Sequence, residues 1–441
     1  MGTARANQGS ASLLRTVEDV LALPRAEFVQ EGRESDGLIW DPGGEAILGE
    51  ALPAIFTARP LEEVRVDGEA VRAEARRAWE AAERIEAPVI YGGYLLRHFG
   101  HFLHESLSRL WWLAPSAGMA SPAREVAERL RELEAEVVFF MPKWPAPGNT
   151  LAPYMEEILA LLRLPAGRIR ILDRPLRFRQ LLIPASLWGF ALPARELDQH
   201  LGCDSRALMR HLLASAAMPP APEGALAAGQ GEKLYVTRSG LPSQLGRLMG
   251  DVVLDPLLQA MGYTVFHPER APLAEQIHRY ARARDLVFMD GSSLYVLWFA
   301  KLRRGTRVRV ILRRRQGRWL CEKVRELLPA GPRIRWQVLD GLRGEGLTSE
   351  KDWESQNVAD LRTLLRQLGG AAPATLPEAA AAALARHTDT FVEQGTPEQL
   401  SRVLAALIAA VATDPSRAHT LRGRIYHWLR RRLAARRLTS R

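Results

Sequence analysis

The chain has 441 residues, enough for two to three domains with sizeable cores, and its 47% hydrophobic and 25% charged residues are those of an ordinary soluble globular protein. Two distant cysteines, Cys203 and Cys321, exclude a disulfide framework and a cysteine-rich zinc site and suit a reducing compartment. The net charge of +10 is local, because nine arginines and no acidic residue follow Asp414 and the rest of the chain is close to neutral.

No apolar run reaches the length of a signal segment or a membrane span, so the expected location is cytoplasmic. The first thirty residues are polar and weakly patterned, which predicts a frayed arm or a peripheral helix; residues 1–70 are taken as an N-terminal arm with peripheral elements. A first α/β domain is expected over residues 71–215. Its pattern predicts a helix over 71–85, a strand over 88–91 broken by Gly92-Gly93, and a helix from Gly100. An apolar strand over 136–140 follows, then a helix over 151–162 and short strands over 168–172 and 180–183, the rhythm of a parallel sheet.

Residues 216–231, rich in Pro, Gly and Ala, read as a linker. A second α/β domain is expected over 232–345. Strands are predicted at 234–236, 264–266, 286–289 and 308–312, with helices at 252–261, 273–283 and 295–302. Residues 346–441 read as a helical C-terminal region, with helices over 358–368, 379–385 and 397–412 and a basic amphipathic tail. Two α/β halves joined by a linker suggest a cleft between them, a common place for ligands.

The densest chemistry lies in Gly100-His101-Phe102-Leu103-His104-Glu105-Ser106-Leu107-Ser108-Arg109-Leu110-Trp111-Trp112. As one continuous helix it would place His101, Glu105 and Arg109 along a single stripe, with Leu103, Leu107, Leu110 and Trp111 anchoring the other face. A proton acceptor, a carboxylate and a fixed cation would then be held in line. The plainer account is an ordinary Glu105–Arg109 ion pair. In the second half, strand 234–236 runs into Thr237-Arg238-Ser239-Gly240, and Arg247 follows nine residues after Arg238. Strand 286–289 runs into Asp290-Gly291-Ser292-Ser293-Leu294 at a helix start. Ligands in open α/β sheets collect at the carboxyl ends of strands, where Arg grips phosphate oxygens and a helix N-terminus adds positive charge.

There is no G-x-x-x-x-G-K-[ST] loop, H-E-x-x-H motif, G-x-S-x-G elbow or Asp-x-Asp pair. His101 and Glu105 have metal-ligand spacing, but no third ligand is apparent, and no metal is expected.

In order along the chain, several segments resemble family 61 glycosyltransferases, the group that includes bacterial capsular polysaccharide biosynthesis proteins. They are Gly100-His101-Phe102-Leu103-His104-Glu105 with Arg109-Leu110-Trp111, then Leu234-Tyr235-Val236-Thr237-Arg238-Ser239, then Arg247. Gly262-Tyr263-Thr264-Val265, Leu273-Ala274-Glu275-Gln276-Ile277 and Gly291-Ser292-Ser293-Leu294 with Phe299 complete the set. The likeness spans about residues 91–312 and departs from the family's usual pattern at Gly250-Asp251, Asp290 and Val296.

The resemblance implies a GT-B-like fold: two Rossmann-like domains facing a cleft, here with extra C-terminal helices. It also implies an inverting, metal-independent transferase with no cofactor, using a nucleotide-sugar donor and a glycan or lipid-linked acceptor in bacterial surface polysaccharide synthesis. His101 or Glu105 would be the base, with His98 and Arg109 on the acceptor side. Arg238, Ser239, Arg247, Gln276, Gly291, Ser292 and Ser293 would bind the donor.

The alternative is a non-catalytic membrane-surface binding protein of a polysaccharide assembly complex. In the tail, Leu421, Ile425, Trp428, Leu429 and Leu433 recur at helical spacing among arginines, so residues 416–441 could lie on an anionic membrane, making the protein peripheral at the inner membrane. Nucleic acid is not expected as a partner, since no recognisable module accompanies the arginines.

Overall fold

The computed structural model describes residues 13–24, 26–30, 33–35, 38–40, 69–141, 150–187, 194–221, 233–241, 248–249, 251–328, 333–347, 356–359 and 361–369. The protein is mixed α/β and divides into two compact units, Met1–Pro219 with Leu327–Ala330, and Pro220–Glu326 with Gly331–Arg441.

In the first unit the strands are β1 (Leu14–Leu23), β2 (Ala26–Gln30), β3 (Arg33–Ser35), β4 (Leu38–Trp40), β5 (Glu83–Ile85), β6 (Val89–Tyr94), β7 (Val137–Phe140), β8 (Ile169–Ile171) and β9 (Leu176–Pro184). The helices are α1 (Glu69–Ala81), α2 (Phe99–His104), α3 (Ser121–Glu132), α4 (Pro153–Leu161), α5 (Ala194–Leu201) and α6 (Ser205–Ser215). The main sheet runs β4-β1-β9-β6-β7-β8, with β5 also paired to β9. β9, β6, β7 and β8 are parallel, while β1 pairs antiparallel with β9 and β4. β6 and β7 are buried along their whole length, as strands covered on both faces are.

Three expectations for this unit fail. The polar N-terminal stretch is not an arm, because β1 enters the sheet and buries Val20-Leu21-Ala22-Leu23; its charged first half disguised an apolar second half. The helix predicted to Ile85 stops at Ala81, and Glu83–Ile85 is a strand. The Gly92-Gly93 pair does not break its strand: β6 continues to Tyr94 with an irregularity there, and Gly93, at φ +94°, lies 3.2 Å (from an ideal Cβ) from the Arg109 side chain.

The second unit contains β10 (Lys233–Val236), β11 (Leu248–Met249), α7 (Asp251–Ala260), β12 (Thr264–Phe266), α8 (Leu273–Arg282), β13 (Asp285–Met289), β14 (Arg307–Ile311), α9 (Gly317–Glu326), β15 (Arg335–Leu339), β16 (Leu342–Leu347), β17 (Gln356–Ala359) and α10 (Leu361–Gln367). Its main sheet is wholly parallel in the order β12-β10-β13-β14-β15. α8 shows how the helices attach: Leu273, Ile277 and Tyr280 lie buried on one face, while Glu275 and Arg279 pair at 2.7 Å on another. The Tyr280 ring stands edge-on to Phe266 and Phe288 beneath it.

Two further expectations change here. Residues 292–298 form a seven-residue 3-10 helix rather than an α-helix over 295–302, and the helix expected from Val358 starts at Leu361, after β17. Arg247, Gly250, residues 379–385 and 397–412, and the tail 416–441 lie outside the described residues, as does most of the expected linker.

Each main sheet has one place where chain order reverses. In the first unit β7 and β8 follow on one side of β6 and β9 returns on the other. In the second, β12 lies on one side of β10 and β13 on the other. The carboxyl ends flanking such a point form a crevice, the usual ligand position in open α/β sheets.

Candidate active site

In the first unit the chain leaves β6 and crosses Leu95–His98 into α2. Tyr154 fixes that crossing: its hydroxyl donates to the Arg97 carbonyl at 2.7 Å, and its ring packs against Phe99 and Phe102. The helix does not run on through Trp112 as its apolar spacing predicts. α2 ends at His104, and 3-10 turns follow over Ser106–Arg109 and Trp111–Leu113. Two serines sit at the break. Ser108 Oγ donates to the Glu105 carbonyl at 2.6 Å and so competes for a helical acceptor, while Ser106 Oγ accepts from the Leu96 amide at 3.1 Å and ties the turn back to the crossing before α2.

The three-residue stripe is therefore split. His101 and Glu105 remain together, with His101 Nδ1 2.5 Å from Glu105 Oε1. Arg109 turns toward the sheet, where Nη1 donates to the Pro184 carbonyl at 2.6 Å and the guanidinium lies over the Tyr91 ring. Trp111 Nε1 donates to the Ala185 carbonyl at 3.0 Å, and Ser108 Oγ lies 2.8 Å from Ser186 Oγ. The segment is thus stitched to β9, and the pair sits where the order of the first sheet reverses. Leu103, Leu107, Leu110 and Trp111 are fully buried and hold it there.

Burial sets the electrostatics. Desolvation pushes Glu105 up to about 9 and His101 down to about 4. His104 is held well below the usual histidine value by burial, then by the charges of His101 and His98. Near neutral pH the pair is uncharged, with one proton between Nδ1 and Oε1. Glu105 Oε2 is buried with no hydrogen-bond partner. The His98 and His104 rings lie 4.7 and 5.2 Å from that of His101.

His104 also supplies the third ligand that sequence spacing did not show: ligand atoms of His101, His104 and Glu105 lie within 4.8 Å of one another. Metal bonds of ~2 Å at open angles need ligand atoms roughly 3 Å or more apart. As they stand, His101 Nδ1 and Glu105 Oε1 are 2.5 Å apart, the separation of a short hydrogen bond.

In the second unit Arg238 follows β10 and Gly291 follows β13, and the two meet. A Cβ on Gly291 would stand 2.5 Å from Arg238 Nη1, so the side chain crosses the glycine backbone closely. Arg238 is only 8% exposed. Ser239 is otherwise engaged, its hydroxyl donating to Asp255 Oδ2 at 2.5 Å while Thr237 Oγ1 donates to Oδ1 at 2.8 Å. Gln276 Nε2 donates to the Pro268 and Ala271 carbonyls and braces the turn before α8. Ser292 opens the 3-10 helix, and Ser293 Oγ is buried with no hydrogen-bond partner.

Sequence reasoning missed Arg313 and Arg314, which follow β14 and contact Asp290. The signal was present, since an apolar strand running into arginines is the same pattern that pointed to Arg238. Val296 is fully buried in the core.

Comparison with known families matches residues 99–308 to Glycosyltransferase 61. Residues 99–308 belong to glycosyltransferase family 61. No curated protein sequence matches the chain. The glycosyltransferase match begins at α2, which carries His101 and Glu105, and ends inside β14, so both candidate loci fall within it apart from Arg313 and Arg314. A glycosyltransferase requires a sugar donor and an acceptor, and the two loci offer a proton-transfer pair and a cationic strand edge.

Proposed function

We propose that the chain is an inverting, nucleotide-sugar-dependent glycosyltransferase of GT-B type. The donor is bound by the second unit and a glycan or lipid-linked acceptor by the first, in bacterial surface polysaccharide synthesis. The observation that carries this reading is the desolvated His101–Glu105 pair at 2.5 Å. Family membership supplies the reaction class.

In a single displacement the acceptor oxygen attacks C1 of the donor sugar as its proton passes to the base. The bond from C1 to the diphosphate oxygen breaks, and its electron pair leaves with the nucleoside diphosphate. We take His101, 23% exposed against 7% for Glu105, as the base, acting through the ring nitrogen that does not face Glu105. Glu105 orients the ring at Nδ1 and stabilises the imidazolium that forms. Arg238 and the main-chain amides after Gly291 receive the charge on the leaving diphosphate, in place of a divalent ion. The seven-residue 3-10 helix adds little dipole, so guanidinium groups carry that task.

The reactive form needs Glu105 ionised and Nε2 open. Because burial raises Glu105 to about 9, the rate is expected to climb with pH up to about that value. The test is transfer from a panel of nucleotide sugars, with and without chelator. Glu105→Gln keeps a hydrogen bond to His101 but cannot ionise, and is expected to lower turnover by ~10²–10⁴-fold with donor KM nearly unchanged. Unchanged turnover in that variant would remove the pair from the mechanism, and activity abolished by chelator would overturn the metal-free role of the arginines.

A further inference from the structure

The face of α2 that carries the His101–Glu105 pair holds one more group than proton transfer uses. His101, His104 and Glu105 stand at i, i+3 and i+4, so α2 and its first flanking residue present all three on one side. Glu105 Oε1 lies 2.5 Å from His101 Nδ1 and 3.6 Å from His104 Nδ1, so one carboxylate oxygen faces two imidazoles. A ligand atom from each of the three falls within 4.8 Å of the others.

The other carboxylate oxygen is a second, separate observation. Glu105 is 7% exposed, and its Oε2 is buried with no hydrogen-bond partner. Buried carboxylate oxygens are ordinarily matched by a donor or a cation, so Oε2 marks a place for a ligand. The support is rigid, because Phe102 and Leu103 are fully buried and Ser108 Oγ holds the Glu105 carbonyl at 2.6 Å. Coordination asks little of it. With bonds of ~2 Å and ligand atoms roughly 3 Å apart, His101 and Glu105 need part by only about half an ångström.

We propose that His101, His104 and Glu105 bind a first-row transition-metal ion, zinc foremost, and that the bound ion silences the transferase. Two imidazoles and one carboxylate are a donor set that zinc takes, with a fourth position left to solvent. Magnesium prefers an all-oxygen shell, so this site does not stand in for a divalent ion on the diphosphate. The ion takes the place of the proton between Nδ1 and Oε1, which passes to solvent. An imidazole whose Nδ1 lone pair is given to a metal keeps its one hydrogen on the other ring nitrogen, which then cannot accept a proton. Binding stands on the ligand geometry, while the silencing rests on the role of His101 under Proposed function.

The experiment titrates the full chain, stripped of metal by chelator, with zinc in competition with a chromophoric chelator, and follows transfer alongside. Zinc is expected to bind and magnesium is not. His104→Gln is expected to weaken zinc by about a hundredfold or more, because even groups that merely support a ligand contribute about 10–100-fold. Cobalt in place of zinc should give the visible absorption of a four-coordinate ion and lose it in the variant. Zinc should stop transfer by the wild type and chelator should restore it. His104→Gln, whose base is intact, should keep transferring at zinc levels that stop the wild type. If His104→Gln does not fold, His101→Ala decides on binding by the same titration.

No zinc bound, or equal affinity in wild type and variants, overturns the site, even where sugar transfer is observed. Zinc that is weakened by the variants but leaves wild-type transfer running, or raises it, keeps the site and overturns the silencing together with His101 as base. Zinc bound at the site of a chain that transfers no sugar keeps the site and overturns the proposed reaction, and the silencing with it.

Discussion

A glutamate buried against an imidazole stores a pH response that can be measured without any substrate. In the unfolded chain Glu105 would titrate near 4.5, but in the fold burial raises it to about 9. Between those values the folded state holds a proton the unfolded state has lost, so this group's contribution makes stability fall as pH rises. His101 acts oppositely and over a lower window, because its value drops from 6.5 to about 4 and its contribution makes stability rise with pH there. The two offset each other up to about pH 6.5, and above that Glu105 acts alone. Tm of the wild type should therefore decline from about pH 6.5 to 9 more steeply than that of Glu105→Gln. Parallel Tm profiles for the two proteins would show that the carboxyl is ionised at neutral pH in the fold.

At the scale of elements, α7 holds the exit of β10 through one carboxylate. Asp255 accepts from both Thr237 and Ser239, and Thr237 is fully buried. Asp255→Ala would strand the Thr237 hydroxyl at a cost of about 1–3 kcal/mol, visible as a fall in Tm. It would also loosen the segment that places Arg238, raising donor KM; a variant with unaltered Tm and KM would contradict this link. Ser239, expected from its position to touch phosphate, has its hydroxyl on the same carboxylate.

What was legible follows the same physics. β10, β12, β13 and β14 are strands of a parallel sheet, and their apolar runs announced them. β1 was not legible, because Arg15, Glu18 and Asp19 occupy its outer half and only Val20–Leu23 is buried. The break at Glu105 was hidden because Leu103, Leu107, Leu110 and Trp111 keep helical spacing even though the backbone turns at Ser106 and Ser108. Arg313 and Arg314 follow an apolar strand as Arg238 does, but their contact with Asp290 is long-range and no sequence spacing announces it.

For the whole molecule, the family match runs from α2 of the first unit into β14 of the second, so it draws on residues of both units. The nine arginines after Asp414 lie beyond that match. No helix among the described residues is long and apolar enough to cross a membrane. In the tail sequence itself arginines interrupt every apolar run, a composition suited to an interfacial attachment. Each arginine near an anionic leaflet contributes about 1 kcal/mol, and Leu421, Ile425, Trp428, Leu429 and Leu433 could insert beneath them. The full chain should therefore sediment with vesicles containing anionic lipid at low salt and be released by high salt, while a chain ending at Asp414 should stay in solution. Transfer to a soluble acceptor should survive that truncation, since the His101 and Arg238 loci lie far upstream in the sequence, whereas transfer to a vesicle-embedded acceptor should fall. Equal vesicle binding with and without the tail would assign membrane contact, if any, to another surface and leave the arginines without this role.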